Sequence, residues 1–314
     1  MNERIWETNL EDGLPDSFYK YRVMSVKHLQ ELQDDFNSID AEGLVSSNSV
    51  FRSYIQQQQH QLPESFPDAK SVIVLAVYTP LMLADFQYNG KKQEILVPHY
   101  YDDGITEDHL KTTIIKNIIR SDQYRLENAK MYVLLKRLAV RTGLGKYGRN
   151  NICYVEGMGS FLTLYAFFTD FEFDEDQWQE VTMMNSCTNC TVCLNECPTG
   201  ALSEGRFVID VEKCIPLYNE VPGEIPNWID PSSHTALMGC LRCQLHCPAN
   251  REAVSMAQKL CSVTEEETKK ILDGTSDEGL IQTLSDKLRM FTPEHADYYY
   301  PVISRNLRLL IHND

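Results

Sequence analysis

Eight cysteines between residues 187 and 247 have the spacing of iron–sulfur ligands. The first run places three thiolates on one four-iron cluster and sends the fourth to a second cluster; it reads Cys187-x2-Cys190-x2-Cys193-x3-Cys197-Pro198. The second run has the last three positions of the same motif and reads Cys240-x2-Cys243-x3-Cys247-Pro248. Its first position falls on Leu237, which cannot bind iron, and Cys214 is available to supply the missing thiolate.

These spacings predict two four-iron clusters with complete ligand sets. In a two-cluster arrangement the cysteine before each proline binds the other cluster. The first set of ligands is then Cys187, Cys190, Cys193 and Cys247. The second set is Cys197, Cys214, Cys240 and Cys243.

Zinc and disulfide bonds are the alternative uses of such cysteines. Paired C-x2-C units also form tetrahedral zinc sites, but a fourth cysteine at x3 followed by proline is surplus to them. The residues after Met1 show no charged start followed by an apolar core, so we expect no signal peptide and reduced cysteines in the cytoplasm. Cys153 and Cys261 lie outside both sets and have no spaced partner, which favours small buried side chains.

The composition limits the remaining possibilities. The 314 residues are 43% hydrophobic, enough for a large core and two or three domains. No apolar run reaches about 18 residues, so no membrane span is expected. The net charge of −16 argues against broad nucleic-acid binding, which needs a basic face, although a local basic patch stays open.

The pattern before the cysteines predicts a mixed α and β domain. Helices are expected over residues 17–36, 109–120 and 125–142. The continuous apolar run over residues 71–78 predicts a strand buried on both faces of a helix-covered sheet. A further strand is expected over residues 152–155, a second apolar run covers residues 161–170, and the acidic stretch from 170 to 180 suggests a domain boundary. The loop over residues 97–104 is rich in aromatic and titratable groups, and it either lines a pocket or lies on the surface.

A glycine loop separates the last predicted helix from the next strand. It reads Gly143-Leu144-Gly145-Lys146-Tyr147-Gly148-Arg149-Asn150. Three glycines in six residues indicate a tight turn or a backbone that lies close against a flat ligand. The loop follows a helix and leads into a strand, whereas a dinucleotide fingerprint follows a strand and opens a helix, so a Rossmann site is not expected.

These motifs, in this order, resemble the epoxyqueuosine reductases. The resemblance runs from about residue 67 to 250 and rests on the opening strand, the glycine loop, Gly159-Ser160-Phe161, Thr169-Asp170 and the cysteine runs. These enzymes are similar to reductive dehalogenases, which also pair two four-iron clusters with a cobalamin. The resemblance implies an α+β fold with three parts: a flavin-reductase-like cobalamin domain over residues 1–175, a bacterial-ferredoxin-like two-cluster domain over 176–255, and a C-terminal helical segment over 256–314.

The resemblance also implies roles for particular residues. The cobalamin would lie against the glycine loop and the following turn, at Gly143, Leu144, Gly145, Gly148, Asn150, Ser160 and Phe161. Single electrons would pass from an external donor of the ferredoxin or flavodoxin type through the clusters to cobalt.

Two departures from the family bear on the substrate. Counting back from Gly143 puts Ala129 where the family has a proton-donating aspartate, and the acidic chain does not offer the positive surface that a transfer RNA needs. The expectation is a paralogue with the same electron machinery and a different substrate, a small molecule or a modified nucleoside. Tyr100 or Tyr101 is the candidate proton donor, as a tyrosine is in reductive dehalogenases; the alternative is that both tyrosines only pack.

Two functions from different classes follow. The first is a cobalamin-dependent iron–sulfur reductase, which explains the long region before the cysteines. The second is an electron-transfer protein without catalysis of its own, delivering electrons to a corrinoid protein or another partner, which explains Ala129.

Overall fold

The structure is a computed structural model that describes residues 10–55, 58–98 and 105–311. The chain divides into two compact units. Unit 1 contains Met1–Tyr78, Gly104–Cys190 and Gly205–Asp210. Unit 2 contains Thr79–Asp103, Thr191–Glu204 and Val211–Asp314. This division differs from three consecutive domains because the chain enters unit 2 at three separate places.

The helices and strands are numbered in chain order. The strands are β1 Tyr19–Ser25, β2 Ser71–Tyr78, β3 Met82–Tyr88, β4 Lys91–Val97, β5 Leu126–Asn128, β6 Lys146–Tyr147, β7 Cys153–Tyr154, β8 Leu162–Thr169 and β9 Gln258–Val263. The α-helices are α1 Leu29–Ala41, α2 Ser49–Ile55, α3 Glu107–Thr113, α4 Leu135–Arg141, α5 Val192–Glu196, α6 Pro216–Asn219, α7 Arg242–Leu245, α8 Arg251–Ser255, α9 Glu265–Asp273, α10 Glu278–Leu288 and α11 Ala296–Ile311. A π-helical segment, Ile114–Ile119, continues α3. None of the described helices is both long and apolar enough to cross a bilayer.

Unit 1 is built on an antiparallel sheet with the strand order β1-β2-β8-β5. Every residue of β2 is buried, as the continuous apolar run predicted. One face of the sheet packs on α3 and its π-helical extension, where Leu75, Phe167 and Ile114 share a core. Helix α4 contacts β2 and β8, so the glycine loop, which begins two residues after the end of α4, starts from a fixed position.

Unit 2 contains a smaller sheet with the order β4-β3-β9, in which β3 is antiparallel to β4 and parallel to β9. Helices α9, α10 and α11 contribute to the same core as these strands. Phe86 of β3, Ile271 of α9 and Leu307 of α11 are among its residues. Helix α9 begins with a capping box: the Thr264 hydroxyl accepts from the Glu267 amide, and the Glu267 carboxylate accepts from the Thr264 amide. Gly274 ends α9 in the left-handed region.

The structure corrects three helix predictions. The first part of the 17–36 helix is strand β1, because residues 19–25 form ladder bonds to β2 that a helical periodicity does not reveal. The first part of the 125–142 helix is β5, which pairs with β8, and the helix itself begins at Leu135. The C-terminal segment is not wholly helical, since β9 pairs with β3. The 109–120 helix is confirmed, with its second half in π-helical geometry.

Candidate iron–sulfur site and glycine loop

The structure brings the second set of cysteines together within unit 2. Burial raises the pKa of the Cys214 thiol, and the negative charges of Cys243, Cys240 and Cys197 raise it further. Burial also raises the pKa of Cys240, with a further contribution from Cys197. Such mutual effects require that the four sulfur atoms lie near one another. The unusual pairing of Cys214 with the two runs is therefore consistent with the fold.

Two short helices position these cysteines. Cys197 follows the end of α5 and has an extended backbone, and α7 carries Cys243; the two helices pack against each other. Leu241 adopts the left-handed conformation, with φ 61°, and so turns the chain sharply between Cys240 and α7. Pro198 and Pro248 follow the last cysteine of each run, where a residue that cannot continue the helix ends the turn.

Buried polar side chains hold the loop before Cys240. The fully buried Asn219 donates from Nδ2 to the Gly239 carbonyl at 2.6 Å and accepts from the Gly239 amide at 3.1 Å. The Thr235 hydroxyl donates to the Cys240 carbonyl. Leu237 is fully buried and its amide donates to the Leu96 carbonyl at 2.8 Å, so this position is a core residue of unit 2.

An arginine lies beside the second set. The charge and the backbone amide of Arg242 both lower the pKa of Cys240, against the larger effect of burial. The Arg242 guanidinium is 3.5 Å from the Glu196 carboxylate, and His246 approaches the same carboxylate at 3.5 Å. The Nε atom of Arg242 is buried and has no hydrogen-bond partner among the described residues. A buried N–H without an acceptor is a group that a bound cluster can satisfy.

In unit 1 the glycine loop contains β6 and packs against β7, the other strand of this hairpin. A Cβ atom at Gly145 would lie 2.6 Å from the Cys153 sulfur and 2.8 Å from the Tyr154 carbonyl oxygen. A Cβ atom at Gly148 would lie 2.5 Å from both Asn150 Oδ1 and a ring carbon of Tyr154. Gly143 has φ +73°, a conformation that other residues rarely adopt. The close approach of the hairpin therefore accounts for these glycines.

The residues assigned to cobalamin are mostly buried in this packing. The exposed fractions are 6% for Leu144, 2% for Asn150, 8% for Ser160 and 4% for Phe161. The Asn150 side chain donates from Nδ2 to the Tyr154 hydroxyl at 2.9 Å. Their contact with a corrin stays a prediction from the resemblance.

The glycine loop is also tied to the segment that carries the first cysteine. The Tyr147 amide donates to the Thr182 carbonyl at 3.1 Å, and the Met184 amide donates to the Tyr147 carbonyl at 2.9 Å. Arg149 then donates from Nη2 to the Cys187 carbonyl at 2.5 Å and to the Thr188 carbonyl at 3.3 Å. The Arg149 Nε atom is buried and has no hydrogen-bond partner among the described residues. This loop therefore sets the position of Cys187.

The cysteines of the first set are divided between the units, with Cys187 and Cys190 in unit 1 and Cys193 and Cys247 in unit 2. In unit 1, Cys187 is 8% exposed and its carbonyl accepts from the Cys190 amide at 3.3 Å. In unit 2, Cys193 is 7% exposed and lies on α5, and the Cys247 amide donates to the Gln244 carbonyl at 3.2 Å. The assignment of these four cysteines to one cluster stays a prediction.

In the part of the chain that the structure describes, no three thiol, imidazole or carboxylate groups converge as they do around a single metal ion. The thiolates of a four-iron cluster each bind a different iron atom and so do not converge in this way.

The other cysteines and the predicted proton donors lie elsewhere. Burial raises the pKa of Cys153 to about 12 and that of Cys261 to about 11, which makes both thiols poor nucleophiles. Cys153 is buried, as predicted, whereas Cys261 is only partly buried against the core of unit 2. Tyr100 and Tyr101 lie outside the described residues. Ala129 is fully buried at the end of β5, where its amide donates to the Ala166 carbonyl at 2.8 Å.

Sequence reasoning missed the charged and polar neighbours of the cysteines. Arg242 stands between two cysteines in the sequence, and that position was an available signal. Arg149 is 38 residues from Cys187, and no local pattern connects the two. Glu196, Asn219 and Thr235 likewise act through contacts formed only in the folded chain.

Comparison with known families defines the class of the cysteine region. Residues 186–250 match the family model of the 4Fe-4S double cluster binding domain. This chain is therefore an iron–sulfur protein with a domain for two four-iron clusters, as the cysteine spacing predicted.

Comparison with individual proteins confirms the resemblance to epoxyqueuosine reductases. The chain is 29% identical over 194 residues to the enzyme of Staphylococcus aureus, covering 60% of this chain and 50% of that one. It is 35% identical over 120 residues to the Escherichia coli enzyme, covering 38% of this chain and 30% of that one. The chain thus aligns with half or less of the length of these curated relatives.

Solved structures of epoxyqueuosine reductases share the fold. The Bacillus subtilis enzyme, solved with its aspartate-bearing catalytic loop swung out of the active site, matches with a TM-score of 0.66 and 19% identity, over 93% of this chain and 77% of that one. An epoxyqueuosine reductase bound to a modified transfer-RNA stem loop matches with a TM-score of 0.62 and 19% identity, over 93% of this chain and 76% of that one. The mixed α and β fold with its cluster domain is that of these enzymes.

Proposed function

We propose that this protein is a cobalamin-dependent iron–sulfur reductase similar to epoxyqueuosine reductase. Single electrons pass from an external ferredoxin or flavodoxin through two [4Fe-4S] clusters to the cobalamin, and the substrate is a small molecule or a modified nucleoside. The observation that supports the proposal is that Cys197, Cys240 and Cys243 all act on the pKa of Cys214 in unit 2. These four thiolates would be a full set of ligands for one cluster. The finer description, a flavin-reductase-like region followed by a ferredoxin-like one, belongs to the same proposal.

The donor set of this site fits a four-iron cluster. Four cysteine thiolates are the ligands that such a cluster takes, and burial raises the pKa of the free thiols at Cys214 and Cys240. Binding iron removes those protons and satisfies the buried sulfurs, so cluster assembly stabilises this part of unit 2. The buried Nε of Arg242 supplies an N–H beside the set.

The cobalamin rests on the resemblance rather than on a cavity in the structure. Gly145 and Gly148 face Cys153 and Tyr154, not open space. A bound cobalamin would supply a cobalt centre able to accept single electrons and act on the substrate. The contribution of this chain would be to hold the loop from Gly143 to Asn150 rigid and to connect it, through Arg149, to the first cluster cysteine.

The substrate is proposed to differ from that of the relatives. An aspartate lies on the catalytic loop of the Bacillus subtilis enzyme, whereas Ala129 here has no titratable side chain and is fully buried. The net charge of −16 also favours a small substrate over broad nucleic-acid binding. Tyr100 or Tyr101 is the proposed replacement donor; unchanged turnover in both Tyr100→Phe and Tyr101→Phe would contradict that assignment.

Ala129 also favours a second candidate function, that of an electron-transfer protein without its own catalysis. Such a protein needs clusters and a docking partner, such as a corrinoid protein, but no proton donor. Anaerobic purification with iron, sulfide and cobalt measured on one sample separates the two. About eight iron with one cobalt per chain supports the reductase. About eight iron without cobalt, even after reconstitution with cobalamin, supports the electron-transfer protein.

A further inference from the structure

Two arginines stand beside the cluster cysteines, one in each unit, and their charges are balanced differently. Arg149 donates to the carbonyl groups of Cys187 and Thr188. It forms no ion pair with any residue that the structure describes. Arg242 lies between Cys240 and Cys243 in the chain and is paired with Glu196 at 3.5 Å. Both arginines have a buried Nε without a hydrogen-bond acceptor among the described residues.

We propose that this difference in charge balance sets the direction of electron transfer within the protein. The inference rests on the proposed function, since it needs both clusters. The uncompensated guanidinium of Arg149 raises the reduction potential of the cluster bound by Cys187. Arg242, neutralised by Glu196, does so much less for the cluster of the second set.

The physical basis is the change in cluster charge on reduction. Adding an electron makes a cluster more negative, so a nearby cation favours the reduced form and a hydrogen bond to its sulfur does the same. An anion disfavours reduction. Glu196, which is paired with Arg242 at 3.5 Å, is such an anion beside the second set.

The redox step is a one-electron exchange. A reduced ferredoxin or flavodoxin gives an electron to the cluster of the second set. That cluster is oxidised from [4Fe-4S]⁺ to [4Fe-4S]²⁺ when it passes the electron on, and the cluster at Cys187 is reduced from [4Fe-4S]²⁺ to [4Fe-4S]⁺. No proton moves, and the higher potential of the acceptor makes the transfer favourable. The acceptor is the cluster whose cysteine is tied to the glycine loop.

The test is a redox titration followed by electron paramagnetic resonance on the anaerobically purified protein. The change Cys214→Ser alters a ligand of the second set only and so identifies which signal belongs to which cluster. Arg149→Met should lower the potential of the Cys187 cluster and leave the other unchanged. Arg149→Lys, which keeps the charge, should leave the potential of the Cys187 cluster close to that of the unaltered protein. Glu196→Gln should raise the reduction potential of the second cluster and so reduce the difference in potential between the two clusters.

The outcomes separate this inference from the proposed function. Iron well below about eight per chain in the unaltered protein contradicts the two-cluster function itself. With both clusters bound, an unchanged potential in Arg149→Met, or an equal shift of both clusters, overturns the inference. A fall in Arg149→Lys as large as that in Arg149→Met also overturns it, because charge would then not be the cause. If Arg149→Met loses a cluster, the other two variants decide. A lowered potential of the Cys187 cluster in Arg149→Lys refutes the charge argument. An unchanged potential of the second cluster in Glu196→Gln also refutes it.

Discussion

Replacing Asp35 with asparagine should markedly destabilise unit 1. Asp35 on α1 accepts from Nε of Arg137 at 2.8 Å and from Nε and Nη2 of Arg141 at 2.8 and 2.7 Å. The side chains of Asp35, Arg137 and Arg141 are only 14%, 16% and 10% exposed. Arg141 is the last residue of α4, two residues before Gly143 at the start of the glycine loop, so the ion cluster fixes where that loop begins.

The expected loss follows from leaving two guanidinium groups without their carboxylate. Removing one partner of a buried ion pair costs about 3–5 kcal/mol. Arg141 keeps its hydrogen bond to the Gln179 carbonyl and its contact with Glu180. Asparagine also keeps an oxygen that can accept. We therefore expect the lower end, a loss of about 3 kcal/mol in the free energy of unfolding.

The dependence on pH gives a second check of the same cause. Burial raises the pKa of Asp35, but hydrogen bonds from Arg141 and Arg137, with their charges, lower it by more, so the net shift is downward. A carboxyl whose pKa is lowered in the folded state stabilises it above the unfolded pKa of about 3.9. That contribution is lost as the pH falls through the folded pKa. The difference between the native protein and Asp35→Asn should be complete at neutral pH and shrink below about pH 4.

Urea unfolding, followed by circular dichroism and by the fluorescence of Trp178, measures the loss. Trp178 is a local probe because the Arg141 guanidinium lies 5.2 Å from its ring. Asp40→Asn is the control, since the pair of Asp40 with Arg52 is more exposed and should matter little. Equal stability of Asp35→Asn and Asp40→Asn, or a difference that does not change with pH, would refute the reasoning.

Three further predictions follow. Cys214→Ser should reduce the iron content from about eight to about four per chain, whereas Cys153→Ser should leave it unchanged; iron analysis decides, and unchanged iron in Cys214→Ser contradicts the second ligand set. Gly145→Ala should cost about 1–3 kcal/mol in urea unfolding, because its Cβ would lie 2.6 Å from the Cys153 sulfur and overpack the loop; a neutral effect would show that the hairpin can move. Burial lowers the pKa of His60 to about 4 in the folded state. The unfolded state binds this proton already near pH 6.5, so the free energy of unfolding should fall as the pH drops from about 6.5 towards 4. His60→Gln should reduce that fall, and nuclear magnetic resonance should show a neutral ring at pH 5; a ring that is charged at pH 5 contradicts the prediction.

The sequence supported the strongest local features of the fold. The continuous apolar run of β2 predicts a strand buried on both faces, and every residue of that strand is buried. The spacing around Cys197 and Cys240, with Leu237 excluded, predicts that Cys214 joins the second set. In the structure Cys197, Cys240 and Cys243 are near enough to Cys214 to raise its pKa, and the ligand assignment stays a prediction. Both signals are local or follow from the chemistry of a single residue type.

The misread segments have patterns that fit more than one structure. Phe18, Val23 and Val26 suit a helical period, yet Tyr19 to Ser25 pair with β2. Sheet pairing is a long-range effect that the apolar period alone does not record. In the same way, the sequence shows the glycines but not the hairpin that requires them, and it shows Arg149 but not its contact with Cys187.

The parallel pairing of β3 with β9 has a consequence for the order of events during protein synthesis. β3 is complete at Tyr88, but its partner is made only after Gln258, and the shared core also includes Leu307 on α11. All eight cluster cysteines leave the ribosome before that core can close. Six of them, from Cys193 to Cys247, belong to unit 2. We therefore expect the nascent chain to present these six on an unfinished unit 2, so that iron delivery and the folding of the residues from Gln258 onward compete in time.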